Sequence, residues 1–149
     1  MSRQIISLDL SDARRLIADG ERKADELGIP YNIAVVDAGG ALISHVRMDG
    51  AWQGSIDISI NKAWTARAFD MTTESLAMAA QSGESLFCIQ TTNHAKVVIF
   101  GGGVPVKVGD TVIGAVGASG GTVEQDQKVA AAAVAAFSHK RTSGGTVAA

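Results

Sequence analysis

Residues 104–121, VPVKVGDTVIGAVGASGG, hold two β-rich segments separated by Gly109-Asp110. So short a connection turns the chain straight back, and it predicts a tight turn between two neighbouring strands. Residues 32–37 and 41–48 repeat the arrangement around Ala38-Gly39-Gly40, a connection able to take positive φ. Hairpin-linked strands with helical segments at both ends predict an antiparallel sheet covered by helices, not a series of βαβ units.

The helical segments follow from spacing. Ala13, Leu16, Ile17, Gly20, Ala24 and Leu27 recur at helical intervals with charges between them, which predicts a helix over 9–27. Asp9 is the expected N-cap, with Asp12 three residues on, and Gly28 followed by Pro30 ends it. Residues 54–71 carry two adjacent rows, Ile56, Ile60, Ala63 and Arg67 beside Ile58, Lys62, Thr65 and Phe69. A third helix is expected from Thr72 or Thr73, a shorter one after Gly83, and an Ala-rich one over 123–137. Val97–Phe100 reads as a further strand. The order is therefore α-β-β-α-α-β-β-β-α, an α+β class, in one domain over residues 1–149 with a frayed tail from about residue 140.

A chain of 149 residues that is 46% hydrophobic and 19% charged buries enough apolar surface to fold, with aromatics at only 5%. Its core is built mainly of Ala, Val, Ile and Leu. The net charge of −2 and the lack of any Lys/Arg run argue against a nucleic-acid or polybasic membrane partner. The longest apolar stretch, 129–137, is far shorter than a bilayer span, and MSRQIISLDL has no apolar signal region. A soluble, cytoplasmic protein is expected. The lone Cys88 excludes an intrachain disulfide and reads as core packing beside Leu86 and Ile89. Trp52 and Trp64 read as core or interface anchors. Ala-rich helix faces allow close helix approach between subunits, which points to self-association.

Several motifs carry chemistry. Residues 117–121, GASGG, match a nucleophile elbow around Ser119, with His45, His94 and His139 as the histidines to serve it. That elbow belongs to a parallel sheet, and the alternative is a tight strand-to-helix turn made of small residues. Backbone N–H groups at such a helix start can bind a carboxylate without a side chain, and the bare backbone of 100–105, FGGGVP, can approach a ligand closely. The histidines and Cys88 lack zinc-like spacing, so no metal is expected. In HVRMDGAW, residues 45–52, alternation puts Leu42, Val46 and Met48 on one strand face and Ile43, His45 and Arg47 on the other. Arg47 and Asp49 then form either a solvated hairpin end or one wall of a site for an anionic ligand. Lys62 either reaches solvent along its stem or adds a second cation.

Three blocks together, VVDAGGALISHVRMDGA, NKAWTARAF and FGGGVPVKVGDTVIGAVGASGGTVEQDQ, resemble the GlcG/HbpS family, the haem-degrading-type domains that also form the C-terminal domain of PduO-type adenosyltransferases. The resemblance runs over about residues 5–137. It implies a profilin-like fold, assembly into homo-oligomers, and binding of haem or a related tetrapyrrole. The positions that match the family's blocks are Asp37, Arg47, Asp49, Lys62, Thr65, Gly102, Gly103, Pro105, Ser119, Gly120 and Asp126. Ligand contacts are expected from Arg47, Lys62, Thr65, Gly102, Gly103, Ser119 and Gly120. Haem-binding members carry a histidine in the first helix, and none stands between Asp9 and Leu27, so iron ligation falls to His45, His94 or an oxygen such as that of Thr65. The other reading is a catabolic enzyme, an isomerase, tautomerase or hydrolase acting on a small carboxylate or oxoacid. There Arg47 orients the substrate, and Asp49 or Lys62 moves a proton.

Overall fold

The computed structural model describes the backbone of residues 2–143 and the side chains of residues 2–138. Helix α1 spans Leu10–Leu27. The Asp9 carboxylate accepts from the Asp12 amide at 2.8 Å while Asp12 returns the bond to the Asp9 amide, a reciprocal cap, and Gly28 ends the helix at φ 69°. Strands β1 (Asn32–Asp37) and β2 (Leu42–Arg47) follow, then α2 (Gly54–Phe69) and α3 (Thr73–Ala79). Strands β3 (Gly103–Val108) and β4 (Thr111–Ser119) and helix α4 (Val123–Ser143) complete the chain. The expected frayed tail begins inside α4, and residues 144–149 lie outside the described residues, as does the side chain of His139.

The four strands form one antiparallel sheet in the order β2-β1-β4-β3, so the α+β class agrees with the sequence, as does the element order apart from the strand expected at Val97–Phe100. Helices α1 and α4 cover one face, where Leu16, Ile33, Val35, Val106, Val116, Val129 and Phe137 are buried together. Helix α2 covers the other, with Ala34, Val36, Ala63, Ala66 and Ala115 between helix and sheet. That second layer is thin because its residues are small. A Cβ on Gly117 of β4 would collide with the Ser59 carbonyl and stand 2.6 Å from the Ala63 amide nitrogen. The backbone of α2 thus rests directly on β4, and its Lys62 reaches the strand's far end.

Some expectations need adjusting. No α-helix follows Gly83. Two single 3-10 turns, Ile89–Thr91 and Asn93–Ala95, occupy the segment instead. Nearly every residue from 81 to 96 is exposed, so a short helix there has no apolar face to bury. Cys88 is accordingly exposed, with φ 68°, and not part of the core. Val97–Phe100 forms no ladder, because the Val98 amide donates to the Thr65 hydroxyl at 3.0 Å. Trp52 is 64% exposed, while Trp64 is partly covered. In β2 a bulge pairs Leu42 with Val36 and Ser44 with Val35, which moves Ile43 to the face of Val46 and leaves His45 and Arg47 toward α2.

Gly117→Ala tests the close contact of α2 with β4. The added methyl group overpacks a rigid backbone contact, so unfolding in urea is expected to show a loss of about 2 kcal/mol or more with an unchanged m-value.

Candidate functional site

Lys62, in the middle of α2, is fully buried. Its Nζ donates to the Asp126 Oδ2 at 2.6 Å and to the Ala118 carbonyl at 3.0 Å, and stands 4.8 Å from the centre of the Phe100 ring. Burial pushes its pKa down from the ordinary lysine value, and the Asp126 carboxylate opposes that shift. Asp126 lies in the first turn of α4. Its other oxygen accepts from the Gly120 and Gly121 amides, both at 3.1 Å. The helix start at Gly120–Gly121 does bind a carboxylate, as the glycines suggested, and the carboxylate belongs to the chain itself.

The surrounding residues close this pair off from solvent. Gly102 takes φ 118°, and a side chain there would stand 2.7 Å from both the Lys62 ammonium and the Ala118 carbonyl oxygen. The Gly103 amide donates to the Thr73 hydroxyl at 2.9 Å, and the Ser119 hydroxyl donates to that of Ser55 at 3.1 Å. Thr65 accepts from Val98 and donates to the Lys96 carbonyl at 3.3 Å. The Tyr31 hydroxyl is buried beside Asp126 without a well-formed hydrogen bond. Burial and the neighbouring carboxylate both raise its pKa. The nucleophile elbow finds no base among the described residues, where the Ser119 hydroxyl donates to that of Ser55.

Lys62, Gly102, Gly103, Ser119 and Gly120 therefore converge on an internal knot of α2, β4, α4 and the loop before β3, while Thr65, one turn along α2 from Lys62, holds the segment at Lys96 and Val98. Arg47 and Asp49 do not join them. Arg47, opposite Asn32 at the end of β2, and Asp49 just beyond it are both exposed, and neither side chain has a hydrogen bond or ion pair among the described residues. The buried ammonium of Lys62, held by Asp126, is not placed to move a proton of a ligand standing at Arg47. Asp37 accepts from the Gly39 and Ala41 amides and shapes the β1–β2 turn, and Pro105 lies within β3.

The two candidate histidines differ. His45 lies opposite Ala34, on the α2 side of the edge strand β2. Its Nε2 is enclosed yet bonded to nothing, and burial holds its pKa below the ordinary 6.5. His94 is exposed, at φ 56° in a run of left-handed residues, Asn93–Ala95. Phe100, Thr73, Ser55 and Tyr31 were not anticipated in the knot. A capping threonine ahead of a helix was the one available sign for Thr73, and it suggested a helix start only.

Among the described residues no group of three His, Cys, Asp or Glu side chains could hold a metal ion, and no helix is long and apolar enough to cross a membrane. A helix-covered antiparallel sheet, closed at one end by an internal Lys–Asp pair on glycine-rich turns, defines an α+β domain. The chain belongs to the HbpS-like family, whose description reads "Haem degrading protein HbpS-like" and whose model matches residues 8–135. It is 46% identical over 137 residues to an uncharacterized 15.0 kDa protein in the dhaT-dhaS intergenic region of Citrobacter freundii, covering 92% of this chain and 96% of that one. Among solved structures it is similar to the Klebsiella pneumoniae protein ORFY (TM-score 0.89, 45% identity, 92% and 94% coverage). It is also similar to PduOC crystallised in complex with haem (TM-score 0.84, 35% identity, 88% and 95% coverage).

Two measurements check the electrostatics. Lys62→Met or Asp126→Asn alone strands a buried partner and is expected to cost about 3–5 kcal/mol, whereas Lys62→Met with Asp126→Leu costs clearly less than the sum of the two. In the native chain the unfolded state protonates His45 at the ordinary 6.5 while the folded state resists it. Stability is thus expected to fall as pH drops below that value toward the folded pKa, and His45→Phe flattens the slope measured by urea unfolding between about pH 7 and 5.

Proposed function

We propose that this chain is a homo-oligomeric small-ligand-binding protein whose ligand is haem or a related tetrapyrrole, held at the edge strand β2. The observation that carries the reading is His45, an imidazole on an edge strand whose Nε2 has no hydrogen-bond partner among the described residues. An imidazole nitrogen without a partner is the donor that haem iron requires. Arg47 follows two residues on, on the same face, with every guanidinium donor free to meet a propionate. The haem-bound PduOC structure, similar over most of this chain, supports the choice of ligand. His94 is the weaker candidate, because it is exposed and no strand or α-helix holds it in place.

Exposed Met71, Met78, Leu86, Phe87 and Phe100 support self-association, since so many uncovered large apolar groups on one stretch favour an interface. The second reading, an enzyme acting on a small carboxylate or oxoacid, is favoured by one observation. Arg47 and Asp49 stand free and close in sequence on the same open end. On that reading Arg47 binds the carboxylate and Asp49 alone moves the proton, because Lys62 is spoken for.

Titration of the native chain with haemin is expected to give a saturable red-shifted Soret band. His45→Ala weakens binding at least about tenfold and alters the band, Arg47→Ala weakens it by several-fold, and His94→Ala leaves both unchanged. An unaltered spectrum and affinity in His45→Ala would overturn the assignment of the ligand, and no saturable band in the native chain would overturn haem binding itself.

A further inference from the structure

We infer that the hairpin tip at the opposite end of β1 from Arg47 is a second ligand site, one that takes a small carboxylate with a planar or apolar body on Arg67. Arg67 sits in the last turn of α2. Its Nε donates to the Ala38 carbonyl at 2.6 Å and its Nη1 to Asp70 at 2.5 Å. These two bonds hold the guanidinium plane against the hairpin. Nη2 has no partner among the described residues, and the side chain keeps 26% of its surface exposed. A fixed, partly desolvated guanidinium with unused donors is suited to a carboxylate.

Two cavities meet at this residue. One, of about 210 Å³, runs between Gly39, Gly40 and the Trp64 indole. The other, of about 410 Å³, is walled by Ile5, Ile6 and Val112, with Arg3 and Thr111 at its border. Ala38, Gly39 and Arg67 line both. The Ser7 hydroxyl accepts from the Ala38 amide at 3.0 Å, which pins the N-terminal segment beside the turn and completes the wall. A cation between an indole and an aliphatic wall selects an amphipathic anion: charge on Arg67, body in either cavity. The volumes suit a small organic acid.

Gly40 supplies the sequence logic. It takes φ 82°, and a Cβ there would stand 3.3 Å from the Trp64 ring, so only the bare backbone leaves the indole its present place. Lys96 lies 5.3 Å from the same ring and adds a second cation to the neighbourhood. Asp70 is the one acid bonded to Arg67 and leaves Nη2 for the ligand.

Benzoate is the probe. With Trp52→Phe, Trp64 is the one tryptophan in the chain. Its emission is expected to change saturably with benzoate in the millimolar range, up to about 10 mM. Arg67→Gln raises the half-saturation point at least about tenfold, Arg3→Gln raises it by a few-fold, and Arg47→Ala leaves it unchanged. Benzamide, the uncharged analogue, gives no comparable response. The proposal is overturned if no saturable change occurs, if Arg67→Gln binds as well as its parent, or if Arg47→Ala abolishes the response. Should Arg67→Gln melt early, benzamide decides the same point on the intact Trp52→Phe chain: binding as tight as benzoate overturns the role of charge.

Discussion

The bond between Lys62 and Asp126 is the contact on which the rest of this structure converges. One side chain reaches from the middle of α2, the other from the first turn of α4, and they meet at the end of β4. Two charges taken from water cost several kcal/mol each, and their attraction offsets that only with good geometry and full satisfaction of the remaining donors and acceptors. Here the satisfaction is unusually complete. Lys62 also donates to the Ala118 carbonyl and faces the Phe100 ring, while Asp126 takes two backbone amides at the α4 start. The helix dipole adds to the hold on the carboxylate. A ligand is not needed to complete the pair.

This pairing explains why the glycines cluster where they do. For Lys62 to lie under β4, α2 must rest on the strand backbone, and Gly117 permits that. For the loop before β3 to pass the ammonium, Gly102 must adopt φ 118° and carry no side chain. Gly103 is pressed against the Lys62 carbonyl in the same way. The residues that look most like a phosphate or substrate cradle are the space needed to bury one ion pair. Their common origin is geometric, since each relieves a clash with the same helix or with the charge it carries.

The hairpins were legible because two and three-residue connections leave strands no other course, and Gly109-Asp110 and Ala38-Gly40 both sit at the turns they suggested. The capping pair Asp9 and Asp12 was equally local. What could not be read was long-range. Lys62 and Asp126 are 64 residues apart, and nothing in either neighbourhood announces the other. The resemblance placed both among family positions without saying that they bind each other. Val97–Phe100 has strand composition, yet Thr65, 33 residues earlier, takes the Val98 amide and removes it from any ladder. The bulge in β2 inverted part of the alternation for a similar reason, because one extra residue near the turn re-aims Ile43.

Function then has to be sought among the groups this economy leaves uncommitted. At the glycine-rich end Lys62 and Asp126 satisfy each other, so a ligand reaches either one only by breaking a buried ion pair, at a cost of several kcal/mol. The edge strand β2 is different. It meets α2 least of the four strands, and among the described residues it carries an imidazole nitrogen without a hydrogen-bond partner and a guanidinium without an acid. Near the hairpin tip Arg67 offers a further uncommitted guanidinium edge, clamped on two sides and open on the next. Binding needs donors held still but not satisfied, because an ordered group with a vacant hydrogen bond loses less freedom on meeting its ligand than a mobile one. His45 within β2 and Arg67 at the end of α2 meet that condition, and Lys62, the more prominent cation in the sequence, fails it because its partner is already in place.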